Sequence, residues 1–162
     1  MKFKDFLNDC TRWEDADKII TKNIPFKVKD FRTGKKWNMV RTSGKFHADV
    51  EYASKEDKKI MDDIWGINSL YYRKVKVFIG DRILTGALMN VPHAGKENVE
   101  FKNKIEYDED NPADFLMSTP NGANWDKIKN NGASGHVCLH FIGSLRHKDK
   151  LIDDEAQKCI VQ

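Results

Sequence analysis

The sequence predicts a mainly β, α+β domain with two or three peripheral helices. Strand-like alternation of apolar and polar residues lies on both sides of two short turns, and helical spacing is confined to three stretches. A short apolar, β-prone run near the C-terminus adds a further strand. The chain has 162 residues, a length that fits one domain, so we expect a single catalytic-type domain over 1–162.

The first elements are a helix and a hairpin. Apolar residues at mixed three- and four-residue steps predict an amphipathic helix within 1–22, which Pro25 brings to an end. The alternation in 26–31 and again in 37–40, separated by a turn at 32–35, predicts a β-hairpin.

The next predicted elements are a second helix, a second hairpin, a strand and a closing helix. Ser54 followed by acidic residues predicts a helix N-terminus, and Gly66 predicts its end. A second hairpin is expected around a turn at Gly80. The apolar run 137–142 predicts a strand, and 153–161 predicts a closing helix.

Residues 96–131 form a polar stretch of 36 residues that is interrupted by proline and glycine. Connections in compact domains are usually much shorter, and long ones often carry function. We therefore expect an insertion or an active-site flap here.

Composition excludes several classes of protein. Hydrophobic residues make up 40% of the chain and charged residues 33%, and no apolar run approaches the ~18 residues of a membrane-spanning helix. The net charge of +3 is too small to indicate nucleic-acid binding, although a weakly basic surface suits an anionic polymer such as a cell wall. We predict no nucleic-acid partner and no membrane span, and composition leaves the oligomeric state open.

The cysteines do not form a recognisable scaffold. Cys10, Cys138 and Cys159 are an odd number at irregular spacing, without a CxxC pair. This pattern supports neither a cysteine-rich zinc site nor a set of disulfides.

The segment around Cys138 carries the clearest chemistry. In a strand, alternate side chains face opposite sides, so one face places Cys138 between His136 and His140. The other face is apolar and consists of Val137, Leu139 and Phe141. Flanking imidazoles can stabilise a thiolate, which predicts a nucleophile, with Ser134 and Gly135 as a flexible approach to the strand. The alternative is a half-buried strand whose thiol only packs.

His93 is the candidate general base. Pro92 and Gly95 can hold an imidazole rigidly at the end of a strand. The alternative is a histidine in a surface loop, because 45 residues separate it from Cys138 and only the fold can bring the two together.

A second polar group lies at 47–51. His47, Asp49 and Glu51 share one face of a predicted strand, which suits a metal ligand pair or an imidazole oriented by a carboxylate. The alternative is a solvated edge strand. His147 is expected to lie in a loop.

Six short sequence motifs, in order along nearly the whole chain, resemble those of a bacterial and phage cell-wall family with a G-H-F-C-I-H-F motif. The motifs are DFRTG at 30–34, GKFHADVE at 44–51, MNVPHAG at 89–95, GHVCLHF at 135–141, SLRH at 144–147 and DDEAQ at 153–157. The chain departs from the family at Ala156, where histidine is usual, at Arg146, where threonine is usual, and in the greater length of 96–131.

The family's ending is similar to the signature of L,D-transpeptidase catalytic domains. The resemblance implies a β-sandwich or barrel core, no cofactor, and attack by a cysteine on the stem peptide of peptidoglycan, with transfer to an amine or to water. It matches Cys138 to the nucleophile, His93 to the base, and His136 and His140 to the residues that polarise and orient. Val137 replaces the glycine of that signature.

Further contacts are expected around the nucleophile. We expect backbone N–H groups of 135–138 to form the oxyanion hole. Ser134, Gly135, Ser144 and His147 are the expected substrate-binding residues.

Two other functions stay open. One is a zinc-dependent peptidoglycan peptidase that uses His47, Asp49 and His140, with His136 or His93 as further candidates. The other is a non-catalytic phage or wall-binding module. The beginning of the chain has no apolar signal core, so we expect a phage-encoded, endolysin-like or virion-associated protein, or a domain of a secreted parent, acting at the bacterial cell wall.

Overall fold

The protein is a closed barrel of six antiparallel strands in the computed structural model, which describes residues 11–106, 110 and 122–162. The order around the barrel is β1-β2-β3-β6-β5-β4. The strands are β1 Pro25–Asp30, β2 Lys36–Ser43, β3 Ala48–Tyr52, β4 Ser69–Ile79, β5 Arg82–Asn90 and β6 Val137–His140. The helices in the described part of the chain are α1 Trp13–Ile19, α2 Lys55–Trp65 and α3 Asp154–Val161. The prediction of a mainly β fold with two or three helices is confirmed.

Both predicted hairpins are present, and each turn uses a glycine. β1 and β2 are joined through a turn in which Gly34 has a φ of 72° and Asp30 accepts a hydrogen bond from the Thr33 N–H at 2.8 Å. β4 and β5 are joined at Gly80, where φ is 59°. Glycine carries no steric penalty at positive φ, so these turns set the register of the strands.

The helices begin and end close to the predicted positions. Ser54 accepts the Asp57 N–H at the start of α2, and Gly66 follows its last residue with a φ of 85°. Asp153 accepts the Ala156 N–H and starts α3. Of the predicted N-terminal helix, α1 is the part that falls within the described residues, while 1–10, including Cys10, lie outside them.

The barrel interior is an apolar core. Its fully buried side chains include Val28, Met39, Val50, Val77 and Leu88. Trp37 from β2 meets Trp65 from α2 edge to face, with ring centroids 5.7 Å apart. Val137, Leu139 and Phe141 are all buried in this core, so the apolar face predicted for the last strand is confirmed.

β6 closes the barrel although it has only four residues. It pairs with β3, where Asp49 lies opposite Cys138, and with β5, where Ala87 lies opposite His140. Because alternate residues of a strand face opposite sides, burial of Val137 and Leu139 turns Cys138 and His140 towards the outside of the barrel.

Residues 107–109 and 111–121 of the predicted insertion lie outside the described residues. The described parts, 96–106 and 122–131, contact each other through a bridge between Lys104 and Ala123. Asn124 is fully buried, and its side-chain amide donates to the carbonyls of Val99 and Glu100. These contacts join the described parts of the predicted insertion to each other.

No helix among the described residues is long and apolar enough to cross a membrane.

Candidate active site

Cys138 and His93 meet at one end of β6. Cys138 Sγ lies 3.6 Å from His93 Nε2, within reach of a hydrogen bond to sulfur. His93 Nδ1 lies 2.8 Å from the carbonyl oxygen of Val91, which can only accept, so Nδ1 carries a proton and Nε2 is directed at the thiol. The fold thus brings together the predicted nucleophile and the predicted base, which are 45 residues apart in the sequence.

The backbone fixes this pair as well. His93 N donates to His136 O at 3.0 Å, and His136 N donates to His93 O at 2.9 Å. Gly135 has a φ of 89°, and a Cβ on this residue would collide with the carbonyl of His93. Glycine is therefore required for close contact between the two segments.

His47 and Asp49 form an ion pair close to the thiol. His47 Nε2 lies 3.0 Å from Asp49 Oδ1, and His47 Nδ1 lies 2.8 Å from the carbonyl oxygen of Leu145. Both ring nitrogens therefore face acceptors, an arrangement that favours the imidazolium. Burial alone would lower the pKa of His47, but the neighbouring charges of Cys138 and Asp49 raise it to about 11.

His136 and His140 complete the cluster. His136 Nε2 lies 3.6 Å from Asp49 Oδ1, yet burial keeps the pKa of His136 below its ordinary value, so this imidazole is neutral. His140 stacks on His47 with ring centroids 4.5 Å apart, and the ring of Tyr72 meets it edge-on at 5.6 Å. These contacts hold the rings in one orientation.

The charges around Cys138 favour a thiolate. Burial by itself would raise the pKa of the thiol, but His93 and His47 outweigh this effect and hold the pKa well below its ordinary value. Burial also lowers the pKa of His93, and the thiolate more than compensates, raising it to about 9. Both shifts favour a thiolate–imidazolium pair at neutral pH, a form in which a cysteine can act as a nucleophile.

The cluster opens into a cavity of about 1200 Å³. One wall consists of Phe101 and Trp125, whose rings meet edge to face at 5.7 Å and which both belong to the predicted insertion. Exposed lysines also line it, namely Lys22, Lys45, Lys102, Lys127 and Lys148. A cavity of this size accommodates a peptide or sugar-peptide fragment, and its charge favours anionic groups.

Of the four expected substrate-binding residues, the structure brings one, His147, to the lining of the cavity. Ser144 is fully buried, and its hydroxyl accepts the Phe141 N–H, so it stabilises a turn. Ser134 is exposed but does not line the cavity, and Gly135 is buried behind the site. His147 is exposed at the cavity rim, as a substrate contact requires.

The expected oxyanion hole is wrong for two of its four amides. The Gly135 N–H donates to Asp126 Oδ1 at 2.9 Å, and the His136 N–H donates to the carbonyl of His93. Donors already used in this way cannot stabilise a developing oxyanion.

Two residues in or beside the site, Tyr72 and Asp126, were not found from the sequence. Tyr72 lines the cavity and donates its hydroxyl hydrogen to Asp153 at 3.0 Å. Asp126 is fully buried beside Gly135, and Glu51 is fully buried and accepts the N–H groups of the segment that follows Asp126. Asp126 stands in a polar stretch that offers no periodicity, so no sequence signal marks it as buried. Glu51, in contrast, is predicted from the sequence to share a strand face with His47 and Asp49.

Three residues of the cluster also offer a set of metal-ligand atoms. His47, Cys138 and His140 each offer one ligand atom, and these atoms all lie within 4.8 Å of one another. The predicted set of His47, Asp49 and His140 thus shares two residues with it, and Asp49 is in contact with His47. Two imidazoles and a thiolate are ligands that suit zinc.

Comparison with known proteins gives little guidance. No family model matches the chain, and no solved structure matches it. A leucine–tRNA ligase of Mycoplasmopsis pulmonis (strain UAB CTIP) is 34% identical over 94 residues, which cover 55% of this chain and 10% of that ligase. The chain thus spans about a tenth of the length of the curated relative it matches.

Proposed function

We propose that the protein is a cysteine acyltransferase or peptidase that acts on the stem peptides of peptidoglycan. The observation that carries the chemistry is the 3.6 Å separation of Cys138 Sγ and His93 Nε2 at the base of an open cavity. The resemblance of six short sequence motifs to those of a cell-wall family supports the choice of substrate. The lysines around the cavity suit the carboxylates of a stem peptide.

The proposed reaction has two steps. The Cys138 thiolate attacks the carbonyl carbon of an amide, the carbon–sulfur bond forms, and the carbon–nitrogen bond breaks as His93 Nε2 gives its proton to the leaving amine. An amine or a water then gives its proton to His93 and attacks the thioester, which releases Cys138 as the thiolate. An amine gives a crosslinked product, and water gives a hydrolysed one.

The other residues of the cluster orient the charged imidazole rings and place positive charge near the sulfur of Cys138. His47, held between Asp49 and the carbonyl of Leu145, places a second positive charge near the sulfur. His140 stacks on His47 and His136 meets His93 edge-on, so both limit rotation of the charged rings. Orienting a charged imidazole through its neighbours is the role that the third member of a catalytic triad performs.

The test compares wild-type protein with Cys138→Ala on purified muropeptides, with products identified by mass spectrometry. Cys159→Ala is the matched control, because its thiol lies outside the site and burial raises its pKa. We expect product from the wild type and the control and none from Cys138→Ala. Product masses distinguish transpeptidation from hydrolysis, and equal activity of Cys138→Ala would refute the mechanism.

A zinc peptidase is the second candidate, favoured by the close approach of ligand atoms from His47, Cys138 and His140. Three protein ligands leave a fourth position for a water, whose pKa the metal lowers. Activity that a chelator abolishes and added zinc restores would favour this candidate. Retention of peptidoglycan without any product, with or without zinc, would instead favour a wall-binding module.

The proposed place of action is the bacterial cell wall. Both a phage-encoded lysis protein and a domain of a secreted parent protein would act at the cell wall. Addition of the protein to intact cells and to isolated wall, followed by release of soluble fragments, tests whether the wall is the substrate.

A further inference from the structure

The Cys138–His93 pair depends on the junction of two distant chain segments. One segment, 91–95, carries His93, and the other, 134–138, leads to Cys138. They touch through two backbone hydrogen bonds between His93 and His136. Whatever fixes this junction also fixes the distance between the sulfur and the imidazole.

Asp126 lies at this junction and contacts both segments. Its Oδ1 accepts the Gly135 N–H at 2.9 Å, on the segment that leads to Cys138. On the other segment, Gly95 packs so closely on the Asp126 side chain that a Cβ at Gly95 would collide with it. The preceding residue, Trp125, donates its N–H to Ala94 O at 2.9 Å.

The carboxylate of Asp126 is built into the protein interior. Its side chain is 0% exposed, and its Oδ2 accepts a hydrogen bond from Lys129 Nζ at 2.9 Å. The same ammonium group donates to the carbonyls of Lys96 and Val99, which anchor it to the insertion. A buried carboxylate is costly unless it is paired and hydrogen-bonded, so a residue of this kind is expected to hold a fixed place.

Asp126 does not line the cavity and makes no direct contact with Cys138 or His93. It therefore acts through Gly135 and Gly95 and not on a substrate. We propose that Asp126 is a positioning residue, which sets the separation of Cys138 Sγ and His93 Nε2 by clamping the two segments that carry them. This role rests on the proposed function only in so far as that function requires the thiolate–imidazolium pair.

The test measures the pair without any substrate. In a Cys10→Ser/Cys159→Ser background, the rate of iodoacetamide alkylation of Cys138 is followed from pH 4 to pH 10, since only the thiolate reacts. Asp126→Ala is expected to raise the midpoint of this profile by about 1 pH unit or more and to slow alkylation at pH 6 about tenfold. Asp126→Asn keeps an acceptor oxygen for the Gly135 N–H and is expected to stay within about threefold of the wild type.

Asp30 provides a matched control. It is 1% exposed, accepts the Thr33 N–H and pairs with Arg73 at 2.9 Å, so it repeats the contacts of Asp126 at a place away from the cavity. Asp30→Ala is expected to lower the melting temperature and to leave the alkylation profile of Cys138 unchanged.

Two results from these proteins, and a third from a substitute variant, would overturn the proposal. The first is an Asp126→Ala protein that is destabilised like Asp30→Ala but alkylates with the wild-type midpoint, which would make Asp126 a purely structural residue. The second is a wild-type midpoint near the ordinary thiol value of about 8.5, which would refute the activated pair itself and, with it, the proposed cysteine mechanism. Should Asp126→Ala not fold, Asp126→Glu displaces the carboxylate by one methylene group, and an unchanged midpoint in that variant overturns the proposal equally.

Discussion

Replacement of His93 by glutamine tests the origin of the activated thiol most directly. The substitution removes one positive charge whose nearest nitrogen lies 3.6 Å from Cys138 Sγ. At an effective dielectric constant of about 20, two unit charges at this distance attract each other by about 5 kcal/mol. Since one pKa unit corresponds to about 1.4 kcal/mol, the full loss would raise the pKa of Cys138 by about 3 units. His47 is retained and continues to stabilise the thiolate, so we expect a rise of roughly 1–3 units.

The assay is the pH dependence of iodoacetamide alkylation of Cys138 in protein that lacks the other two thiols. The matched control is His147→Gln, which alters an exposed histidine at the cavity rim. We expect the control to follow the wild type, with a midpoint well below the ordinary value, and His93→Gln to alkylate slowly at pH 6. An unchanged midpoint in His93→Gln would refute the assignment of His93 as the partner of the thiolate.

Three further predictions concern pH and backbone geometry. The imidazolium of His93 persists up to its raised pKa of about 9, so the rate of product formation should stay constant through pH 8 and fall above pH 9; a fall centred on pH 6.5 would contradict this. Burial raises the pKa of Glu51 from 4.5 to about 7, so the folded protein binds one proton more than the unfolded chain between these values, and stability should decrease as pH rises through this window. Glu51→Gln removes this effect, so its free energy of unfolding relative to the wild type should rise by up to about 3 kcal/mol between pH 4 and pH 8. Urea unfolding at each pH measures this difference. A difference that does not change with pH would contradict the prediction. Gly135→Ala should lower the free energy of unfolding by roughly 4 kcal/mol or more, because the new Cβ would collide with the carbonyl of His93. Gly143→Ala is the control: its φ is 80° but the space around it is open, so it should cost only about 1–2 kcal/mol. Equal losses in the two variants would exclude the close contact with His93 as the cause.

The fold class could be predicted from the sequence because its signals are local. Alternation on each side of Gly34 and Gly80 identifies the two hairpins, and Ser54 and Gly66 delimit α2. These patterns depend on the period of side chains along one element and on residues that tolerate positive φ. Closure of the barrel by the short strand β6 between β3 and β5 had no comparable signal, since pairing of distant strands depends on the whole chain.

Some features of the candidate site could likewise be predicted from local sequence, and others could not. The period of two in β6 predicts that Cys138 and His140 share a face, and the structure agrees. Ser144 illustrates the opposite case, because a serine near a predicted nucleophile is equally suited to accept a backbone N–H in a turn. Only its surroundings decide between the two roles.

By itself, the sequence determined the elements, the apolar and polar faces of the last strand, and the identity of the thiol and imidazoles. The tertiary structure decided that His93 reaches Cys138, that His47 and Asp49 flank the same sulfur, and that Asp126 is buried at the junction behind them. The physical reason is that ionisation and hydrogen bonding depend on distance and burial. These quantities arise only when residues that are far apart in the sequence are brought within a few ångströms of each other.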